Sequence, residues 1–291
     1  MIDFLLQYIA TTLEGFDEMI NGAVEVLMDS AAGGSANWAS MLSLSEYLKP
    51  FCLIVVGICV LIELANTAAK VDMITWEQGV RLGIKVCLAK VFIDIAPVFL
   101  RACYVQAQSW IAAIGSGWGS SQFGFEMLKN LDGLRGHLDS SFWGGMGLFF
   151  TTFAVVIAIG IAGVIIKATA YGRIFELYVY LIASPLPCAF FPLGDGSGGG
   201  FSQTTSKFLR SFAAVCLQGV LMIVVIKIFD VVLGNAIMAL EWNYDPNTIT
   251  PEIASAALTN VTYTMLMGSI AMVMAIGKCG SWAKSILDAG G

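Results

Sequence analysis

Residues 147–170 read GLFFTTFAVVIAIGIAGVIIKATA, and residues 171–192 continue YGRIFELYVYLIASPLPCAFFP. The first part carries no charge before Lys167. At 1.5 Å per residue it is long enough to cross a hydrocarbon core of about 30 Å. The second part is apolar apart from Arg173 and Glu176, and it meets Ser184-Pro185-Leu186-Pro187 and then Pro192. Proline has no N–H to give and its ring clashes with the preceding turn. A helix over 171–193 is therefore expected to break there. Irregular backbone at membrane depth survives only where protein or a water-filled cavity satisfies its polar groups. The stretch predicts an integral membrane protein organised around a broken helix.

The composition agrees. Of 291 residues, 57% are hydrophobic and 12% charged, with a mean hydropathy of +0.80. Soluble domains carry about 25% charge, so the chain falls in the polytopic membrane class. A net charge of −6 leaves no basic nucleic-acid footprint. The single histidine, His137, and seven cysteines without a CxxC spacing give no metal framework. The cysteines read as small buried hydrophobes. The N-terminus MIDFLLQYIATTLEGFDEMI has no basic n-region and does not read as a cleaved signal peptide. No HExxH, GxSxG or paired acids in a framed loop are present, so no catalytic residues, cofactor or metal are expected.

Outward from the centre, residues 2–28 place Leu6, Ile9, Leu13, Phe16, Ile20 and Leu27 on one helical face and Glu14, Glu18, Asn21 and Glu25 elsewhere. This acidic amphipathic helix either faces a protein partner or the outer leaflet, or packs as a surface helix on the bundle. Residues 29–42 read as a linker, Ser43-x-x-Glu46 as a capping box, and Pro50 as the opening of an apolar run. A long helix from about 76 to 114 carries Lys90, Asp94 and Arg101, with a kink expected at Pro97. Lys90 and Asp94 either pair locally, Lys90 snorkelling, or face the bundle interior. Residues 115–146 read as a loop with a short helix near 123–138, and Trp118, Phe123, Phe125 and Trp143 suit an interfacial belt. The glycine-rich run 194–200 lacks the Gly-Lys-Ser/Thr of a phosphate loop and reads as a flexible loop. The next span carries Lys227 and Asp230 at i,i+3, and Thr250-Pro251-Glu252 is a good helix start.

The resulting fold class is all-α: a polytopic membrane helix bundle. Residues 1–42 form an extracytoplasmic amphipathic helix and linker, and residues 43–291 a transmembrane bundle. Spans are expected near 48–67, 86–106, 147–167, 208–232 and 256–277, with 171–193 a proline-broken re-entrant or interfacial helix. An outside N-terminus then puts Lys70, Arg81, Lys85, Lys167, Arg173, Lys207, Arg210, Lys278 and Lys284 on the cytoplasmic side, as the positive-inside bias asks.

Arg173, then Glu176 to Tyr180, then Ser184 to Pro187 and Phe190 to Pro192, following a long apolar helix, resemble the TrbL/VirB-type polytopic inner-membrane subunit of type IV secretion (conjugative transfer) systems, in its Gram-positive-like variant. The resemblance is concentrated in 145–235, and the flanks agree in layout. It implies a channel or scaffold subunit in a ring-like homo-oligomer such as a pentamer. It further implies partnership with other type IV secretion membrane subunits, secretion ATPases and lipid, and transient contact with translocated DNA or protein. The residues expected to organise the site are Arg173, Glu176, Ser184, Pro185, Pro187 and Pro192, with Arg173 and Glu176 anchoring the broken helix at the cytoplasmic interface. The intramembrane charges Lys90, Asp94, Arg101, Lys227 and Asp230 would act structurally. The alternative is a small-solute secondary transporter with its site at 171–193. Carriers of that kind show paired broken segments in two repeat halves, and this sequence has one broken segment and no repeat.

Overall fold

The computed structural model describes residues 2–29, 35–70, 76–117, 142–193, 203–238 and 251–288. They form α1 (Ile2–Asp29), α2 (Ser35–Lys70), α3 (Trp76–Gly117), α4 (Phe142–Ala183), α5 (Pro185–Ala189), a 3-10 turn (Phe191–Leu193), α6 (Gln203–Met238) and α7 (Pro251–Asp288). Among the described residues there is no strand, and the chain is an all-α polytopic membrane bundle. Four stretches are long and apolar enough to cross a bilayer: Trp38–Asn66, Thr152–Ala189, Gln203–Val232 and Thr259–Leu287. The expected crossing at 86–106 lies within α3, whose Lys90, Asp94 and Arg101 set it apart from those four.

Several boundaries differ from the sequence expectation. α2 starts at Ser35, so much of the expected linker 29–42 is helical, and Pro50 lies inside the helix instead of opening it. Ser43 does not act as a cap: its hydroxyl donates to the Ser40 carbonyl at 2.7 Å. Pro97 is likewise interior to one continuous α3. The expected span 147–167 and the expected broken helix 171–193 are not separate elements, because α4 runs unbroken through both as far as Ala183. The loop and short helix near 123–138, with Trp118, Phe123 and Phe125, and the glycine run 194–200 lie outside the described residues. So does Thr250, although α7 begins at Pro251, where proline's missing N–H costs nothing.

The chain divides into two compact units. Unit 1 comprises Met1–Leu27, Ile111–Gly172 and Gly219–Cys279. Here α1 packs its apolar face inward: Phe16, Ile20, Ala23 and Leu27 are buried, while Glu14, Glu18, Asn21 and Glu25 are exposed. Its neighbour is α4. A Cβ on Gly163 would lie 2.6 Å from the Met19 sulfur and 3.4 Å from the Phe16 ring. Tyr8 and Phe153 stack at 6.0 Å. In lipid no water-driven term pulls helices together, so contact depends on close approach over small residues. Gly163 supplies it, and α1 is a helix packed on the bundle.

Unit 2 comprises Met28–Trp110, Arg173–Gln218 and Gly280–Gly291, and it has two buried clusters. In one, Trp38 of α2, Leu100 and Tyr104 of α3, Leu177 and Leu181 of α4, and Phe212 and Val215 of α6 pack together. In the other, Cys52 and Val56 of α2 meet Ala89 and Ile93 of α3 and Ala189 and Phe191 beyond the helix break. The Trp38 ring lies 5.4 Å from Tyr104 and 5.6 Å, edge-on, from Tyr178. The two clusters fix direction. Going from Trp38 toward Glu63 along α2, the chain after Leu177 runs the same way, while α3 and α6 run the opposite way.

The buried-hydrophobe reading of the cysteines holds for Cys52, Cys59 and Cys279, whereas Cys87 and Cys103 are exposed on α3.

Candidate functional site

The break begins where the backbone chemistry requires it. Pro185 removes the N–H that would bond the Leu181 carbonyl, and Pro187 the one that would bond Ala183. Two losses within three residues end α4, whereas Pro50 and Pro97, each a single loss, do not. The Leu181 carbonyl is recovered locally: it accepts from the Ser184 N–H at 3.3 Å and from the Ser184 hydroxyl at 2.8 Å. The short α5 then ends at Phe190, whose N–H reaches the Pro187 carbonyl at 3.3 Å. That carbonyl also accepts from the Thr205 hydroxyl of α6 at 2.8 Å. The Lys85 ammonium of α3 donates to the Pro192 carbonyl at 3.5 Å and pairs with Glu63 of α2 at 3.0 Å. Ser184, Pro185, Pro187, Ala189, Phe191 and Pro192 are all buried.

Three neighbouring helices therefore hold the break. α2 and α3 pack on it through Cys52, Val56, Ala89 and Ile93, and the Phe92 and Phe191 rings meet at 5.1 Å. α6 supplies Thr205. Relative to α2 the break lies beside Cys52–Glu63, inside the apolar stretch Trp38–Asn66. An unsatisfied carbonyl in hydrocarbon costs several kcal/mol, and here protein donors meet those of Leu181, Pro187 and Pro192.

The other expected site residues are placed as follows. Arg173 Nη1 and Glu176 Oε2 pair at 2.6 Å, half-buried. They precede Leu177, so they lie toward the Trp38 end of unit 2, whereas Lys85 and Glu63 lie at the other end. Unbroken helix from Arg173 to Ala183 separates the Arg173–Glu176 pair from the break, whereas Lys85 stands beside it. Asp94 lies 3.7 Å from Lys49 of α2, a partner far in sequence, in place of a purely local pair with Lys90, which is exposed. The Arg101 guanidinium sits 5.8 Å over the Trp38 ring. On α6, Lys227 is buried and Asp230 half-buried. Sequence reasoning misses Thr205, Glu63, Lys49 and Trp38. Only the hydroxyl run Thr204-Thr205-Ser206 at the start of α6 hints at a donor for stranded carbonyls.

A cavity of about 300 Å³ adjoins the break, lined by α3, Ser184, Cys188 and the start of α6, and its exposed wall is wholly apolar. The hydroxyls of Ser184 and Thr205 are turned to the Leu181 and Pro187 carbonyls. Among the described residues, no three His, Cys, Asp or Glu side chains gather as metal ligands. The arrangement offers packing and backbone support at the break.

Residues 21–185 match the family described as TrbL/VirB6 plasmid conjugal transfer like protein, more than half of the chain. The chain belongs to the TrbL/VirB6 family. The match runs from within α1 to the first proline of the break. It thus reaches further toward the N-terminus than the residues that carry the resemblance in sequence, and it stops before Pro187. TrbL/VirB6 membership makes this protein a component of a conjugal transfer, type IV secretion apparatus that contains other subunits. No curated protein and no solved structure matches the chain.

Proposed function

We propose that this protein is a membrane channel or scaffold subunit of a conjugative DNA-transfer machine. Copies form a ring-like homo-oligomer in the cytoplasmic membrane, working with the other secretion subunits and the secretion ATPases. The observation that carries this reading is the helix break, buried and hydrogen-bonded to α3 and α6 beside the apolar stretch of α2. A conduit or scaffold needs a rigid, self-satisfied interior and no reaction centre. The apolar cavity, whose hydroxyls are already engaged, speaks against a polar solute site at 171–193.

The topology that goes with it has five crossings, an outside N-terminus and a cytoplasmic C-terminus. α3 supports the fifth crossing. It lies against α2 from Lys85 beside Glu63 to Tyr104 beside Trp38, antiparallel, along nearly all of Trp38–Asn66. If α2 crosses, α3 crosses with it. Lys90, Asp94 and Arg101 are then tolerated because Lys90 can snorkel along its stem while Lys49 and Trp38 meet the other two.

The experiment is deletion of the gene in a conjugation-proficient donor. DNA transfer should be abolished while nicking of the transfer origin continues. Transfer that persists without the protein would defeat the proposal, and loss of nicking would move its role upstream of translocation.

A further inference from the structure

The cavity beside the break has a specific occupant. It lies entirely within unit 2, bounded by Phe92, Ala96 and Leu100 on α3, Cys188 on α5, and Thr205 and Phe208 on α6. Its exposed wall is wholly apolar. The two hydroxyls that border it, Ser184 and Thr205, donate to the Leu181 and Pro187 carbonyls at 2.8 Å each and present no unused donor. Ile95 and Phe99, at the α3 side, are each more than half exposed. They continue the exposed apolar face of α3 that includes Leu88, Val91 and Val98. Where such a face meets the bilayer, hydrocarbon lies against it.

A volume of about 300 Å³ is at the lower end for a ligand pocket. It suits part of a flexible chain better than a headgroup. Left empty, it would deprive the wall of dispersion contacts. A polar solute entering it would lose its hydrogen bonds to water and find none in return.

We propose that this cavity is a lipid site that takes one acyl chain of a membrane phospholipid, inserted between α3 and α6 with its end against the helix break. The chain enters past Ile95 and Phe99, and Cys188 and Phe208 form the inner wall. Small Ala96 leaves the room. The lipid thereby acts as a wedge between α3 and α6 that supports the break. This inference goes beyond the secretion role and stands on the cavity alone.

The test uses the full-length protein in nanodiscs containing a phospholipid with a diazirine-bearing acyl chain, irradiated and mapped by peptide mass spectrometry. Adducts are expected on the inner wall, at Cys188 or Phe208, as well as on the open face at Ile95 and Phe99. Ala96→Phe fills the cavity and should cut inner-wall adducts at least fivefold. Adducts at Ile54 and Ile58 of α2, both exposed, should stay within twofold and show that the variant is folded and embedded. Phe208→Ala enlarges the cavity and should raise adducts at Cys188. Adducts confined to the open face in the native protein would overturn the proposal. So would inner-wall labelling indifferent to Ala96→Phe, or a cavity free of lipid in which Cys188 cross-links to a second copy of the chain.

Discussion

Thr205→Val removes a side-chain donor that reaches the break from α6. Thr205 is buried, and its hydroxyl donates to the Pro187 carbonyl at 2.8 Å. Valine keeps the shape and removes the donor. The carbonyl is not wholly stranded, because the Phe190 N–H still approaches it at 3.3 Å. The cost therefore falls at the lower end of the range for losing one partner of a buried hydrogen bond, about 1 kcal/mol. That is roughly a fivefold change in an opening equilibrium. For a chain of this size it corresponds to a fall in Tm of about 2–4 °C. Thr205→Ser keeps the donor and loses only the packing of one methyl group, and should fall by less than the valine variant. Thermal unfolding in detergent, followed by tryptophan fluorescence, reads both. A serine variant that falls as far as the valine one, or a valine variant that does not fall, would show that the hydroxyl does not hold the break.

Three further outcomes follow from the packing. Gly163→Leu should separate α1 from α4, exposing the α1 segment to protease, whereas Gly163→Ala should be mild because Met19 is flexible and can swing aside. Glu63→Lys and Lys85→Glu should each reduce stability and DNA transfer, since each puts like charges 3.0 Å apart at the end of the break; the double exchange should restore most of both, measured as Tm and transfer frequency. Trp38→Ala should cost toward the lower end of the roughly 3–5 kcal/mol seen for tryptophan truncation in cores, because no water-transfer term applies in lipid, while Trp38→Phe should retain part of the contact with Tyr104 and Tyr178 in the same unfolding assay.

The sequence reveals features whose cause is local. The apolar period of α1 appears as its buried face, and Pro185 with Pro187 marks the break within a residue. Arg173 and Glu176 at i,i+3 do pair. What escapes it depends on neighbours. Pro50, expected to open a helix, lies inside one with its single stranded carbonyl. Asp94 has a candidate partner four residues away in Lys90, yet Lys49 of another helix lies within 3.7 Å. The support of the break by Thr205 and Lys85 spans 18 and 107 residues of sequence, and periodicity carries no signal across such separations. The relation between 147–167 and 171–193 is missed because Lys167 and Arg173 look like the border of a membrane span, whereas the backbone there has no reason to leave the helix.

The account rests on a break in α4 that is closed by protein donors and buried at the depth of α2. Hydrogen exchange of residues 182–191, measured on the protein in nanodiscs, tests this most directly, because the Ser184 and Phe190 amides are both engaged. The account predicts slow exchange there, comparable with Ile174–Ala183 within α4. Exchange completed within seconds, while that helix remains protected, would contradict it.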